Sequence, residues 1–205
     1  MIRKIIELIR VYQFTFIKII YFEILYIAKG YKGNYYDSRT DKHRTDNIPC
    51  PYYFLSEISK TIEEQKIKSI TDLGCGSGRA LFFFSKKFKI KLKGIEFYLK
   101  SYRECKKIFL KNKKIKILNN DFLKINFNYL KSECYFINDP LKDYKLFKIL
   151  LKKILDTNRK KKIYFILINI DRRKKLLFEN YHLLQNRQFK SKIRNAGFYI
   201  YTNKS

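Results

Sequence analysis

A three-layer α/β sandwich built on a mostly parallel sheet is predicted for this chain by three observations. From about residue 51 onward, apolar runs alternate regularly with amphipathic segments, the pattern of strands joined by helical crossovers. The run Lys162–Ile170 is apolar almost throughout, as a strand buried on both faces has to be. Near the end, Asn195-Ala196-Gly197 separates two strand-like runs, so the sheet is expected to close on an antiparallel hairpin.

The elements follow in order. Residues 1–30 read as an N-terminal amphipathic helix, 31–50 as a loop or lid, and 51–205 as the α/β domain. A helix over Pro51–Lys66 precedes strand Ile67–Leu73. A helix over Arg79–Phe88 leads to strand Ile90–Glu96, and one over Leu99–Lys113 leads to Ile115–Asn119. Strand Cys134–Asn138 precedes a helix over Leu141–Leu155, then the Lys162–Ile170 strand and a helix over Arg172–Leu184. Strands Phe189–Arg194 and Phe198–Thr202 complete a count of seven.

Within this frame, Ile70-Thr71-Asp72-Leu73-Gly74-Cys75-Gly76-Ser77-Gly78-Arg79 joins a strand end to three glycines and a helix start. Glycines let the backbone approach a ligand, and the helix offers its unbonded N–H groups to an anionic moiety. Glu96, an acid about 20 residues further on, stands where such folds hold ribose hydroxyls. A dinucleotide fingerprint would need glycine at Arg79, and a phosphate loop would need a Lys-Ser/Thr pair; the sequence has neither. D-x-G-x-G-x-G remains.

With Asp72-Leu73-Gly74-Cys75-Gly76-Ser77-Gly78 and Glu96, the chain resembles the class I S-adenosylmethionine-dependent methyltransferases. The resemblance extends over about residues 51–205 through Leu118-Asn119-Asn120-Asp121-Phe122 and Tyr135-Phe136-Ile137-Asn138-Asp139-Pro140. It implies a Rossmann-like sheet, S-adenosylmethionine as cofactor and methyl transfer as activity. Gly74, Gly76 and Gly78, with Cys75 among them, would meet the methionine half of the cofactor, and Asp72 would hold that loop and the amine. Glu96 would bind both ribose hydroxyls. Asp121 would accept from the adenine amino group, while Phe97 and Phe122 cover the ring faces; a turn cap at Asp121 and a core role for Phe97 stay open.

Asn138-Asp139-Pro140-Leu141 resembles part of the Asn/Asp-Pro-Pro-aromatic motif with which amino methyltransferases hold a planar nitrogen, lacking its second proline and aromatic residue. Asn138 and Asp139 are therefore the candidate catalytic residues. Asp139 also reads as the N-cap, and Pro140 as the first residue, of the helix expected from Leu141. The 31–53 segment, with Tyr35, Tyr36, Asp37, His43, Tyr52 and Tyr53, resembles the lead-in of the non-SET protein-lysine methyltransferases, which folds over the cofactor; a tyrosine-rich surface loop is the alternative. His43 is a candidate general base. On this likeness a protein lysine is the first acceptor expected, RNA base methylation the second, and a non-catalytic cofactor-binding partner protein a third reading.

Composition bounds the rest. The 205 residues accommodate one core and an appendage, and 46% hydrophobic residues exclude a largely disordered chain. Cys50, Cys75, Cys105 and Cys134 form no C-x-x-C pair and only His43 and His182 accompany them, so no metal site is expected and a reducing cytoplasm is. The net charge of +28 suits an RNA partner, yet Lys, Ile, Asn, Phe and Tyr abound together as an AT-rich coding sequence alone would produce. The runs Arg159-Lys160-Lys161-Lys162 and Arg172-Arg173-Lys174-Lys175 read as solvated faces. In residues 2–28, Arg10, Lys18 and Glu23 keep each apolar run short of the ~18 to 20 residues of a membrane span. Peripheral contact with the inner face of a membrane is the first expectation for their apolar face, ahead of packing on the domain or self-association.

Overall fold

The computed structural model describes residues 15–33, 43–112, 114–190 and 197–203. The helix expected over residues 2–14, the lid residues Tyr35, Tyr36 and Asp37, and Asn195-Ala196 of the turn lie outside the described residues. Within them the chain runs α1 (Thr15–Ala28), α2 (Tyr52–Glu64), β1 (Ser69–Leu73), α3 (Arg79–Lys87), β2 (Lys91–Glu96), α4 (Leu99–Phe109) and β3 (Ile115–Asn119). It continues with a 3₁₀ turn (Phe127–Leu130), β4 (Cys134–Ile137), α5 (Tyr144–Thr157), β5 (Tyr164–Ile168), α6 (Arg172–Asn180), β6 (Leu184–Lys190) and β7 (Gly197–Thr202).

The seven strands form one sheet in the order β3-β2-β1-β4-β5-β7-β6. β1 to β5 pair in parallel, and β7 pairs antiparallel with both β5 and β6. Alternate side chains feed two cores because successive residues of a strand face opposite sides. Phe136, Ile166 and Ile200 enter the core beneath α2, α3 and α4, while Tyr135, Phe165 and Tyr201 enter the core beneath α5 and α6. This accounts for the unbroken apolarity of the fifth strand.

Several boundaries differ from expectation, two of them in ways that matter for the site and the sheet edge. The helix after β4 begins at Tyr144, not Leu141, and its N-cap is Asp143, whose carboxylate accepts from the N–H groups of Lys145 and Leu146. Leu141 is fully buried in the α5/α6 core, which holds residues 139–142 out of the helix. Asp139 is accordingly not a cap, and Pro140 does not open the helix. The penultimate strand begins at Leu184, where a helix was expected to end, and finishes at Lys190. Leu184-Gln-Asn-Arg-Gln-Phe-Lys is an edge strand with mostly polar residues, so it lacks the alternation that marks an interior strand.

α1 packs on the domain. Phe16 and Ile19 are buried, and Tyr26 stacks 5.1 Å from Tyr52 and 5.2 Å from Phe83. Glu23, the one acid of α1, meets Arg79 Nη1 with both carboxylate oxygens at 2.9 Å and accepts the Tyr52 N–H at 2.9 Å. The first expectation for this helix is thus corrected for residues 15–28, whose one face is covered by protein. Its other face leaves Ile17, Tyr21 and Ile24 more than half exposed. No helix among the described residues is long and apolar enough to cross a membrane.

Removing Glu23 leaves the buried Arg79 guanidinium without its carboxylate. Because Glu23 itself is partly exposed, Glu23→Ala is expected to lower stability by about 3 kcal/mol, the lower end of the range for breaking a buried pair; urea unfolding would measure it.

Candidate active site

The sheet order reverses between β1 and β4, since β1 connects outward to β2 while β4 begins the other half. At such a point the helical connections leave to opposite sides and the carboxyl ends of the two strands open into a crevice. Gly74 and Asn138 stand at these ends, Glu96 at the end of β2, and Asp121 and Phe122 just past β3. The sheet thus gathers residues spread over more than sixty positions of sequence.

The glycine turn is built around the end of β2. The N–H groups of Gly74 and Cys75 both donate to the Ile95 carbonyl at 2.9 Å. Gly76, at φ 53°, donates its N–H to Glu96 Oε2 at 2.8 Å, and Asn47 lies where a side chain at Gly76 would project. Gly78 caps α3 at φ 88°, and a Cβ there would come within 2.6 Å of Cys105 Sγ. Cys75 turns its thiol inward, 4.0 Å from Cys105 Sγ, so only its backbone is offered to the crevice.

Two buried acids sit side by side. Glu96 is held by the N–H groups of Gly76 and Tyr98, which donate to its two oxygens. The Asp72 carboxyl makes no hydrogen bond to another described residue, although the residue is 3% exposed. Burial first, and then the charge of Glu96, push its carboxyl well above the ordinary carboxylate range. An acid so placed stabilises a cationic group brought against it.

Segment 43–50 crosses this crevice. The Arg44 guanidinium lies 3.7 Å over the Phe97 ring and donates to Asp121 Oδ2 at 2.9 Å, while Asp121 Oδ1 accepts the Leu123 N–H. Phe122 forms a buried apolar wall, whereas Phe97 is 42% exposed beneath Arg44. Thr45 donates its hydroxyl to the Asp139 carbonyl and its N–H to the Pro140 carbonyl; Asn138 donates its amide to the Ile48 carbonyl at 2.8 Å. The space left between Arg44, Ile48, Glu96 and Asn138 is about 30 Å³, on the scale of a water molecule. Arg44 and Asn47 therefore have to swing aside before a nucleoside-sized ligand fits. His43 is set apart, with Nδ1 3.7 Å from Asp143 Oδ2.

Asp139 belongs to a different group of charges. It has φ 34°, and Oδ1 accepts from Lys174 Nζ at 2.6 Å; that ammonium also donates to the Leu141 carbonyl at 2.6 Å and lies 3.3 Å from Asp171 Oδ2. Lys174 is buried, so the run Arg172-Arg173-Lys174-Lys175 is not a uniformly solvated face. One of its four cations is turned inward to fix the 138–141 turn.

Arg44, Asn47, Glu23 and Lys174 were not singled out as site residues from sequence. A lone acid in an apolar helix signals Glu23, while nothing in the basic run marks Lys174 as different from its neighbours. Among the described residues no group of His, Cys, Asp and Glu is placed to hold a metal ion.

No family model and no curated protein matches the chain by sequence. Solved structures do match by shape. A provisionally assigned O-methyltransferase from Klebsiella pneumoniae aligns with TM-score 0.61 at 10% identity, over 78% of this chain and 83% of that one. A provisionally assigned caffeoyl-CoA O-methyltransferase from Staphylococcus aureus gives 0.57 at 16%, over 73% and 82%. A provisionally assigned RNA methyltransferase from Pyrococcus horikoshii gives 0.56 at 14%, over 74% and 81%. The chain has the fold of the class I S-adenosylmethionine-dependent methyltransferases.

Burial above all raises the Asp139 carboxyl to about 6, against the opposing pull of Lys174. Since the folded chain holds this proton more tightly than the unfolded one, the stability it contributes is present below about pH 4 and lost as pH rises through about 6. Carboxyl ¹³C NMR is expected to find the Asp139 midpoint near 6 and to find it higher in Lys174→Met, where the lowering cation is gone. A midpoint near the ordinary value would remove Asp139 from the buried turn.

Proposed function

We propose that this protein transfers a methyl group from S-adenosylmethionine to a nitrogen acceptor on RNA. The observation that carries cofactor use is the pair of buried acids at the strand ends. Asp72 is a buried carboxyl against which the cofactor's amine could be brought, and Glu96 stands beside the glycine turn, where it would take the ribose hydroxyls. Phe122 and Phe97 offer apolar faces to an adenine ring, and Asp121 an acceptor to its amino edge. The residues fit the cofactor once Arg44 and Asn47 have moved. Bound there, it would supply an electrophilic methyl on its sulfonium.

The protein's share is then positional. Asn138 is the side chain best placed to orient the acceptor at the end of β4, and the carbonyls of Asp139 and Pro140 become free to accept from a nitrogen when Thr45 leaves with its segment. Lys174 keeps those carbonyls in place, which makes Asp139 a fixed point of the turn in this reading and Asn138 the catalytic candidate. For RNA over a protein lysine, the support is the net charge of +28, together with the provisionally assigned RNA methyltransferase from Pyrococcus horikoshii among proteins of the same fold.

Calorimetry with S-adenosylmethionine is the direct test: binding is expected for the wild type, weakened by ~1–3 kcal/mol in Asp72→Ala and in Glu96→Ala. No binding at millimolar cofactor would overturn the proposal. Asn138→Ala should keep that affinity and lose single-turnover transfer from methyl-labelled cofactor, because its interaction belongs to the transition state. Label entering protein and not RNA would move the acceptor from RNA to protein. Label entering neither would leave a cofactor-binding partner protein.

Arg44 imitates adenine, being planar, stacked on Phe97 and donating to Asp121. Arg44→Ala is therefore expected to bind cofactor more tightly, by roughly tenfold or about 1.4 kcal/mol. Weaker binding in this variant would show that the guanidinium holds the ligand and does not compete with it.

A further inference from the structure

At the opposite end of the sheet from the crevice, the amino ends of β1, β2 and β3 border a groove of about 880 Å³. Six lysines line it: Lys68, Lys89, Lys91, Lys93, Lys114 and Lys116. They make up half of its lining, and among the described residues no acid lines it. The apolar part of its floor is Phe88 and Ile90, both partly exposed, while Leu92 and Ile115 border it from the buried core beneath α2, α3 and α4.

The clustering is more than the chain's lysine content spread over a surface. Lys93 of β2 and Lys116 of β3 stand opposite one another in the parallel register, an arrangement of like charges that weakens a sheet. Lys93 is half-buried and donates to the carbonyls of Tyr129 and Lys131 at 3.1 and 2.9 Å. Burial, and next the charges of Lys116 and Lys91, lower its affinity for a proton. Among the described residues, the ammonium groups of Lys68, Lys89, Lys91, Lys114 and Lys116 have neither an ion pair nor a hydrogen bond. Glu133, the carboxylate tied to this region, is turned to the backbone N–H of Lys68.

We propose that this groove is a docking site for single-stranded nucleic acid, its lysines taking the phosphodiester backbone and its apolar floor the base faces. A polyanion relieves the repulsion that the fold imposes on the lysine cluster and releases its own counterions. Concavity and an apolar floor with the Phe88 ring suit a strand whose bases are unstacked; a flat lipid surface cannot enter, and a duplex hides its bases. β2, with six residues, separates groove from crevice by about 20 Å, so a strand seated here leaves the crevice open to another part of the same molecule. The inference rests on the RNA reading of the acceptor for its purpose, but its test needs neither cofactor nor turnover.

The test is fluorescence anisotropy of the full chain with a labelled oligouridylate. Lys89→Glu/Lys91→Glu/Lys116→Glu is compared with Lys152→Glu/Lys160→Glu/Lys161→Glu, three exposed lysines elsewhere that change the net charge equally. The groove variant is expected to bind at least tenfold more weakly. Its salt slope should fall by about 2, three contacts at about 0.7 each, while the control stays within a few-fold of wild type. If charge reversal lowers the melting temperature, Lys→Gln at the same three positions serves in its place. Equal losses in both variants, or wild-type binding to phosphatidylglycerol vesicles and not to oligouridylate, would overturn the proposal. Because no cofactor is present, this result is independent of the calorimetry and labelling that decide methyl transfer.

Discussion

Everything at the candidate site depends on one constraint: β1 and β4 are neighbours in the sheet but their connections run to opposite sides. A parallel pair cannot be joined by a short turn, so each strand must leave its carboxyl end for a helix on one face or the other. Between β1 and β4 the two departures diverge, and the ends of both strands are left uncovered. The glycine turn fills only part of that gap. Gly74 and Cys75 borrow the Ile95 carbonyl of β2 for their N–H groups, which pins the turn to the second strand and brings Glu96 under Gly76.

Electrostatics then assign unlike roles to like residues. Glu96 and Asp72 are buried together, yet Glu96 has two backbone N–H donors and Asp72 has only the pressure of burial and a neighbouring charge. On the other side of β4, Asp139 faces Lys174, and the pair is held by the Leu141 carbonyl and Asp171. Burying an ion pair seldom adds net stability. Here it fixes a non-glycine residue at positive φ in the turn that leads away from Asn138.

The fold was legible because its signal is periodic and repeated: seven strands, a fully apolar fifth strand and a glycine turn in the right place. What was misread was governed by distant partners. Asp139 and Asp143 are both sound N-caps in isolation, and the choice between them was made by the burial of Leu141 and by a lysine 35 residues away. Lys174 was invisible in a run of four cations because the residue that turns inward is set by α6 docking, not by its neighbours. The penultimate strand was expected from Phe189 but begins at Leu184, because Gln185, Asn186, Arg187 and Gln188 are polar and erase the alternation. Arg44 illustrates the same limit at the site, since its meaning comes from Phe97 and Asp121, both far along the chain.

The Asn138–Ile48 and Thr45–Pro140 contacts tie the segment across the crevice to the wall an acceptor would meet. One strap therefore serves two compartments. Opening it to admit a ligand over Glu96 also releases the Asn138 amide and the Asp139 and Pro140 carbonyls on the acceptor side. On the proposed reading this couples the two compartments: the movement that admits the first ligand is the same one that exposes the groups an acceptor would meet, so neither can be made ready alone.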